Sequence, residues 1–485
     1  MKTKKPNIIL VNIESMDGRK MGCMGNKAMQ RATPNIDQMA EEGVLFTNAY
    51  SNCPVCNPSR ASMWTGKYPH HYQCWNNHEG ITEDVTILFD KLEENGYRTK
   101  AIGPLDYQHG KHSIRDQVGS WTRSANIKRP LCRTPVPEIH DNSSDINQSD
   151  WNRTYRAINW LQQAQNEDRP FMLYLTTSLV HPAFNALQRH IDRINENEIE
   201  IPPEDNNNHP VFNYQKITKN TAQGFSENMV KKIRKTYYAM IAALDEMIGQ
   251  LLQAVEDLKF SDNTYIIFTS DHGEMAGEHS QILKRTMYEP SIHIPLIISG
   301  PDVNKGETVA EPVSLIDIYP TVMSMAGEEA EQDKDGESLL PLLNSENKVR
   351  RDWVFAEYHG DRCNTGTYML RKGDWKYIKY VGFESQLFNL EQDPWEVEDL
   401  AQQKPEITGE MESILDSILD CEQVENRARE YDKRKFKKWR KEQKEAGTYR
   451  DMMAYIYSGY DRMNIEDIRP WTDEDEQQII DWLQE

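Results

Sequence analysis

Cysteine is scarce in this sequence, and the few cysteines follow no regular spacing. The seven thiols in 485 residues are Cys23, Cys53, Cys56, Cys74, Cys132, Cys363 and Cys421. An odd, sparse set excludes a disulfide-dense secreted scaffold, so we expect mostly free thiols. Cys53 and Cys56 form a CxxC pair, but no second pair and no zinc-spaced histidines accompany it, which argues against a redox or zinc centre.

Long apolar runs are also missing. No segment approaches the ~20 consecutive apolar residues that a membrane-spanning helix needs. Residues 8–13 follow a basic N-terminus, but this run is too short for the core of a signal peptide and contains Asn12. The sequence therefore predicts a soluble protein with no membrane partner. We expect it to be cytoplasmic, or periplasmic or secreted if a signal peptide precedes Met1.

Positive charge is in deficit, since 56 Lys and Arg stand against 77 Asp and Glu and give a net charge of -21. This balance argues against a nucleic-acid partner, because such proteins cluster basic residues against phosphates. An anionic substrate must then enter a locally basic pocket inside an acidic shell. That arrangement suits a small or terminal anionic group better than a long polyanion lying across the surface.

Short apolar runs alternate with helical patterns along most of the chain. The runs cover residues 7–13, 99–102, 171–176, 265–269 and 295–298, and the clearest helical face consists of Tyr237, Met240, Ile241, Leu244, Ile248, Leu251, Leu252 and Val255. This alternation predicts an α/β fold with a mostly parallel central sheet flanked by helices.

Side chains that can bind a metal ion or take part in acid-base chemistry follow the ends of four of these runs. They are Glu14 and Ser15, then Lys111 and His112, then His181, and finally Asp271 with His272. Open parallel sheets bind ligands beyond the carboxyl ends of their strands. We therefore expect these side chains to meet at one site.

The pattern of predicted secondary structure changes after about residue 345. Residues 353–358, 367–370, 375–380 and 386–389 are short strand-like pieces between turns, which is typical of a small antiparallel sheet. We predict two domains, a catalytic one at 1–345 and a smaller one at 346–485 with this sheet and a helical tail. Residues 427–444 are rich in Lys, Arg and Glu, and both a solvated helix and an anion-binding surface fit this pattern.

One motif points to a specific chemistry. Residues 56–60 read Cys-Asn-Pro-Ser-Arg, and proline and serine at a helix start are also explained by a well-formed N-terminus. The order nevertheless resembles the signature of the sulfatases in the alkaline phosphatase superfamily. Residues 33–37, 43–50 and 317–321 resemble further markers of that family, so the resemblance covers nearly the whole chain.

The sulfatase resemblance implies an alkaline phosphatase-like fold and an unusual nucleophile. In this family a separate formylglycine-generating, or sulfatase-maturing, enzyme oxidises the cysteine to formylglycine, whose hydrated aldehyde attacks sulfur. A calcium ion is implied beside it. The implied ligands are Glu14, Ser15, the residue formed from Cys56, Asp271 and His272.

The resemblance also assigns further catalytic residues. Arg60 is implied to hold the nucleophile and a sulfate oxygen, Lys284 to bind sulfate, and His181 to protonate the leaving oxygen in its charged form. Two positions depart from the family pattern. Glu14 and Ser15 replace the usual acidic pair, so we expect weaker metal binding, and Pro104 replaces a lysine, so we expect Lys111 to supply the missing cation.

Further segments resemble the arylsulfatase K branch of the family, which acts on 2-sulfated glucuronate in glycosaminoglycans. These segments are residues 17–19, 75–77, 105–107, 112–114 and 357–360. The resemblance thus predicts a sulfated saccharide as substrate and a 2-O-sulfate of a uronic acid as the leaving group. The candidate sugar contacts are Trp75, Asn76, Asn77, Asp106, Tyr107, His112, His279, His359 and Asn364. Two alternatives stay open, a phosphodiesterase or phosphonate hydrolase of the same superfamily and a catalytically silent sugar-binding homologue.

Overall fold

The computed structural model of the chain describes residues 4–108, 113–125, 137–141, 146–204, 207–219, 221–344, 349–457 and 470–485. Within these ranges the strands are β1 (Asn7–Ile13), β2 (Val44–Phe46), β3 (Ala49–Tyr50), β4 (Arg98–Ile102), β5 (Glu138–His140), β6 (Phe171–Thr176), β7 (Asn185–Leu187), β8 (Thr264–Ser270), β9 (Leu296–Ser299), β10 (Glu307–Val309), β11 (Val313–Ser314), β12 (Trp353–Tyr358), β13 (Thr367–Lys372), β14 (Trp375–Tyr380) and β15 (Gln386–Asn389).

The α-helices in the same ranges complete the element list. They are α1 (Pro34–Glu41), α2 (Cys56–Thr65), α3 (Pro69–Tyr72), α4 (Leu88–Glu94), α5 (Ile114–Trp121), α6 (Gln148–Ala164), α7 (Gln188–Ile191), α8 (Pro210–Thr218), α9 (Glu227–Asp257), α10 (Glu289–Ile292), α11 (Ile318–Met325), α12 (Leu340–Leu343), α13 (Pro405–Ile418), α14 (Cys421–Glu445), α15 (Tyr449–Tyr457) and α16 (Asp473–Gln484).

A seven-stranded sheet forms the centre of the described structure, with the strand order β10-β2-β9-β8-β1-β6-β4. Strand β1 pairs in parallel with β6 and with β8, and β4 pairs in parallel with β6. Strand β9 runs antiparallel to β8 and β2. The predicted mostly parallel sheet is therefore confirmed, with one strand reversed.

Helices cover both faces of this sheet. Alternate residues of β1 point to opposite sides, so that Ile9 packs in the core beside α9 while Ile8 packs in the core beside α2. All seven residues of β1 are buried, which explains why five of the seven are apolar and why four of these form a continuous run between Asn7 and Asn12 instead of alternating with polar residues. Helix α9 carries the predicted apolar face, and the Ser226 hydroxyl caps it by accepting a hydrogen bond from Met229 N.

A separate four-stranded antiparallel sheet, β12-β13-β14-β15, follows near the C-terminus, as the sequence predicted. One face of this sheet packs through Phe355 on α13 and α14, and the other packs through Val354 on Tyr50 and Tyr288 of the preceding region. The second face thus contacts the loops around the carboxyl end of the central sheet. The proposed domain boundary between residues 345 and 346 stays a prediction.

Candidate functional site

Side chains from three elements meet at the carboxyl end of the central sheet. Glu14 follows β1, Asp271 and His272 follow β8, and Cys56 is the first residue of α2. The Cys56 Sγ atom lies 2.9 Å from Glu14 Oε1 and 3.2 Å from His272 Nε2. One ligand atom from each of these four residues lies within 4.8 Å of the others. We call Glu14, Cys56, Asp271 and His272 the four-residue cluster.

The start of α2 is held in place from outside the helix. Val55 precedes the helix in an extended conformation and provides no side-chain cap. Instead, Asn77 Oδ1 accepts a hydrogen bond from Asn57 N at 2.9 Å, while Asn77 Nδ2 lies 3.6 Å from Cys56 Sγ. The Ser59 hydroxyl donates to the Asp271 carbonyl at 2.6 Å. The serine of the motif therefore ties α2 to the loop after β8 and does not cap the helix.

Arg60 lies at the centre of the charge network and is fully buried. Its Nε donates to Asp271 Oδ2 at 2.9 Å, and its Nη2 donates to Glu14 Oε2. Its Nη1 donates to the Pro104 carbonyl at 3.2 Å. The chain thus places a backbone acceptor where a lysine was expected, and the arginine holds both carboxylates of the site in fixed positions.

Lys284 supplies a second buried cation, with its Nζ 3.8 Å from Glu14 Oε1. Burial alone would raise the pKa of Glu14, but Arg60 and Lys284 outweigh burial and hold this pKa well below its usual range. Burial and the neighbouring Glu14 raise the pKa of the Cys56 thiol. The unmodified thiol is therefore neutral, and it donates to a charged carboxylate.

The two histidines of the site are neutral. Burial, together with the positive charge of Lys284, lowers the pKa of His181 to about 3. Burial also lowers the pKa of His272, whose Nδ1 lies 2.9 Å from the Gly273 carbonyl. A tetrahedral anion in the pocket would add negative charge and raise the pKa of His181 again. The role of His181 as proton donor stays a prediction.

The donor set fits a divalent cation. Two carboxylates, a neutral imidazole and the side chain of position 56 converge here. Carboxylate oxygens are the ligands that a hard cation prefers. The Ser15 hydroxyl is buried beside them and has no hydrogen-bond partner among the described residues. Ser15 N donates to Asp271 Oδ1 at 3.2 Å, which brings this serine to the cluster. Its role as a fifth ligand stays a prediction.

The structure brings some of the predicted sugar contacts to the cluster. Asn77 contacts Cys56 as described, and the Asp106 carboxylate lies 3.6 Å from Arg60 Nη1. The Tyr107 carbonyl accepts a hydrogen bond from Ile81 N at 2.8 Å, so that the loop after β4 lies close to the loop after α3. Lys111 and His112 lie outside the described residues, and their assignments stay predictions.

Other predicted sugar contacts have structural partners instead. The Trp75 ring is buried and packs edge-on against His359, and Asn76 Oδ1 accepts hydrogen bonds from the backbone of its own turn. His279 is buried with its ring stacked on Tyr288 at a centroid distance of 4.2 Å. The assignment of these residues as sugar contacts stays a prediction.

His359 and Asn364 lie at a different buried region. His359 Nε2 lies 3.0 Å from Glu357 Oε2, and its Nδ1 lies 3.6 Å from Glu425 Oε2 on α14. The Asn364 carbonyl accepts a 3.5 Å hydrogen bond from Ser124. Burial would lower the pKa of His359, but the two glutamates outweigh burial and raise it. His359 therefore links the antiparallel sheet to α14.

We expect His359→Gln to lower the free energy of unfolding by about 2 kcal/mol at pH 6, since it removes one of the cations that neutralise the buried carboxylates of Glu357 and Glu425. The folded-state pKa lies above the ordinary value of about 6.5, so the stabilisation is complete below that pH and is lost as pH rises through the folded-state pKa. Denaturant unfolding of both proteins between pH 5.5 and about 8.5 measures this difference.

His70 shares Glu357 and its pKa is also raised, but it is present in both proteins, so the comparison isolates His359. A stability gap that stays constant over the whole pH range would contradict the assignment.

Sequence reasoning missed a charged group beside the cluster. Arg285 follows Lys284, and its backbone N donates to the carbonyl of Pro54, two residues before Cys56, at 3.2 Å. Arg285 Nε donates to Asp361 Oδ1 at 2.9 Å, and Arg362 Nε donates to Asp361 Oδ2 at 3.3 Å. Arg285 and Asp361 are 76 positions apart, so no local pattern could reveal their pairing.

No helix within the described ranges has the length and apolar character that crossing a membrane requires. The six described cysteines are free thiols, and Cys132 lies outside the described residues.

Comparison with known proteins gives one consistent result. A family profile described as Sulfatase matches residues 6–328. A second profile, described as N-sulphoglucosamine sulphohydrolase, C-terminal, matches residues 277–421. Arylsulfatase K of Canis lupus familiaris is 38% identical over 463 residues, which cover 90% of this chain and 86% of that protein. Arylsulfatase K of Homo sapiens is 38% identical over 465 residues, with 90% and 86% covered.

Solved structures show the same fold. A phosphonate monoester hydrolase of Agrobacterium radiobacter superposes with a TM-score of 0.71 at 24% identity, covering 85% of this chain and 95% of its own. A 2-O GAG sulfatase superposes with a TM-score of 0.68 at 23% identity, covering 85% and 92%. At this level of identity the likeness extends to the fold alone.

Proposed function

Because the chain belongs to the sulfatase family and is a sulfuric ester hydrolase, we propose that it removes the 2-O-sulfate of a uronic acid in a sulfated saccharide. The observation that carries this proposal is the four-residue cluster at the head of α2, where Cys56 Sγ lies 2.9 Å from Glu14 and 3.2 Å from His272. Formylglycine at position 56, formed by a separate maturation enzyme, supplies the hydrated aldehyde that attacks sulfur. The arylsulfatase K relatives support this choice of substrate.

The proposal includes a divalent cation, calcium in the first instance. Glu14, Asp271 and His272 would hold it together with position 56, and it would supply Lewis-acid polarisation of a sulfate oxygen. The oxygen-rich donor set supports calcium over softer metals. Glu14 and Asp271 are already fixed by Arg60, so little rearrangement is needed to present their remaining oxygens.

Arg60 and Lys284 are both positively charged, and we assign them different roles. Arg60 is occupied by Glu14, Asp271 and the Pro104 carbonyl, so we assign it the positioning of the carboxylates around the nucleophile. Lys284 contacts Glu14 at 3.8 Å and has N–H groups to spare, so we assign it direct contact with a sulfate oxygen. Asn77 lies 3.6 Å from position 56 and orients the nucleophile.

His181 is the proposed proton donor to the departing sugar oxygen. Its Nδ1 lies 2.5 Å from the Pro182 carbonyl, which fixes the ring and directs Nε2 away from the backbone. The imidazole is neutral without substrate, so it must take up a proton when the anion binds. Negative charge on sulfate provides the driving force for that uptake.

An acidic sugar is favoured by the group formed by Arg285, Asp361 and Arg362. Two guanidinium groups share one carboxylate, and together they outweigh burial and hold the pKa of Asp361 well below its usual range. Arg285 is buried beside the loop that leads to Cys56, and Asp361 is its one ion-pair partner within the described chain. The Arg285 guanidinium directly follows Lys284 in the chain, and a guanidinium at this place suits a substrate carboxylate next to the sulfate.

We expect Arg285→Gln to raise KM for a 2-sulfated uronate about tenfold or more, because a charged carboxylate loses its guanidinium partner. Turnover of an aryl sulfate without a carboxylate should change little. Steady-state kinetics on both substrates, and on a carboxyl-reduced form of the sugar, measure the difference. Arg350→Gln is a matched control, since the Arg350 side chain is 9% exposed, like that of Arg285, and lies 2.9 Å from an aspartate, Asp317.

Equal losses on the uronate and on its carboxyl-reduced form would contradict a carboxylate contact, and so would a loss in Arg350→Gln of the same size.

The proposed reaction is tested by measuring sulfate release from 2-sulfated uronate oligosaccharides by the matured protein, beside phosphate-diester and phosphonate monoester hydrolysis. We expect sulfate release to dominate. Preferred cleavage of the phosphorus esters would overturn the proposal in favour of a phosphodiesterase, and absence of all release by protein shown to carry formylglycine would favour a sugar-binding homologue.

A further inference from the structure

The middle of α14 is strongly basic, whereas the protein as a whole is acidic. Residues 433–441 read Lys-Arg-Lys-Phe-Lys-Lys-Trp-Arg-Lys, which is seven basic residues in nine with no acidic one, in a chain where acidic residues outnumber basic ones. The two apolar residues, Phe436 and Trp439, are buried against α5, α15 and α16. They fix the orientation of the helix and turn the opposite face to solvent.

Four of these basic residues form one exposed stripe. Arg434, Lys437, Lys438 and Lys441 are spaced i, i+3, i+4 and i+7, and all are exposed. We call these four residues the basic stripe. Lys441 has a distant pairing with Glu445 at 3.9 Å, whereas the other three have no carboxylate at ion-pair distance within the described residues.

The neighbours of the basic stripe do find partners. Lys435 lies 3.0 Å from Glu79, and Arg440 pairs with Glu476 of α16. The acidic α16 therefore neutralises the flank of the helix but leaves the stripe itself unneutralised. A merely solvated helix would normally alternate charges of both signs.

Such an arrangement costs stability. Within the basic stripe, Arg434 faces Lys438 and Lys437 faces Lys441 at i,i+4, and like charges at this spacing repel each other. Burial and the cations Arg429 and Lys437 lower the pKa of Lys433 on the same stretch. An anion bound at the basic stripe would relieve this repulsion.

The stripe is connected to the catalytic site through one short segment. Asn77 of that segment contacts Cys56, and Glu79, two residues further along, contacts Lys435 on α14. Arg427 at the other end of the contact donates to the His70 carbonyl at 3.1 Å. The helix thus packs along residues 70–79, the segment that also contacts Cys56 through Asn77.

We propose that the basic stripe binds the sulfate and carboxylate groups of the polysaccharide on either side of the sugar that is being desulfated. This inference rests on the proposed function. The stripe spans about 10 Å along the helix axis at 1.5 Å per residue, which allows contact with more than one anionic group of a linear chain. The net charge of -21 repels such a chain on average, and the basic stripe is a local surface that attracts it. The protein would then bind a long polyanion, whereas its net charge alone favoured a small or terminal anionic group.

The test compares a short and a long substrate in the matured protein. The variant Arg434→Gln/Lys437→Gln/Lys438→Gln removes three positive charges, and Lys27→Gln/Lys232→Gln/Lys305→Gln removes three exposed charges elsewhere. We expect the stripe variant to raise KM for a long 2-O-sulfated glycosaminoglycan about tenfold and to leave a disaccharide carrying the same unit unchanged. The control variant should leave both unchanged.

Stability provides a second readout. Because the stripe residues repel each other, the stripe variant should unfold at the same temperature as the parent or higher, whereas a structural role for these side chains predicts a lower temperature. Added salt should raise KM for the long chain and erase the difference between parent and variant.

Several outcomes would overturn the inference. An unchanged KM for the long chain in the stripe variant does so, and so does an equal rise for the disaccharide or for the control variant. Tighter retention of a single-stranded DNA than of the polysaccharide, lost in the stripe variant, would assign the surface to nucleic acid. Failure of the proposed function is distinct, since the parent would then release no sulfate from the disaccharide.

Discussion

Cys56→Ala is expected to abolish sulfate release, with a loss of at least about a thousandfold in kcat, because alanine cannot be converted to an aldehyde and offers no nucleophile. The fold should survive, since Cys56 is the first residue of α2 and the helix is anchored by Asn77 and Ser59 from outside. Sulfate release and the melting temperature, measured on the same preparations, separate the two effects.

Cys53→Ala is the matched control for this substitution. Cys53 is buried three residues earlier and completes the CxxC pair, so a redox or metal role of that pair requires it. We expect full sulfate release from Cys53→Ala. Mass spectrometry of the tryptic peptide that ends at Arg60 should show formylglycine in the active parent. Turnover by Cys56→Ala, or an active parent whose peptide is fully unmodified, would contradict the assignment of the nucleophile.

The sequence predicted the central fold well because its strongest elements depend on local pattern. Strands β1 and β6 begin and end at the predicted residues, and the apolar stripe of α9 lies on the predicted face. Burial on both faces makes such strands continuously apolar, and this signal needs no knowledge of the partner strand. The short strands β2, β3, β10 and β11 have two or three residues each and carry no such signal.

Site residues that follow the carboxyl ends of neighbouring strands could be predicted from the sequence. Contacts between residues far apart in the sequence could not. Glu14, Asp271 and His272 meet because they leave neighbouring strands at the same sheet edge. His359 was interpreted as a sugar contact because an imidazole beside a motif suggests one. That assignment stays a prediction. The sequence did not indicate that Glu425, 66 positions further along on α14, lies 3.6 Å from His359, because this contact depends on how α14 packs on the antiparallel sheet.

Removing the charge of Asp271 should have the second large effect. Asp271→Asn is expected to lower kcat about a thousandfold, because the amide weakens the hold on Arg60 and removes one of two carboxylates from the proposed cation site. It should also abolish the rise in melting temperature that calcium gives the chelator-treated parent, since a ligand that binds the folded state stabilises it. Differential scanning calorimetry with and without calcium measures this independently of activity.

Asp245 allows the structural share of that loss to be subtracted. Like Asp271, it is fully buried and accepts two backbone N–H bonds and one arginine, here from Asn35, Ile36 and Arg193. Its position on α9, away from the four-residue cluster, predicts that Asp245→Asn will lower stability comparably while retaining turnover and the calcium response. If both variants lost activity to the same degree, the effect of Asp271 would be structural. A calcium response retained in Asp271→Asn would remove this carboxylate from the cation site.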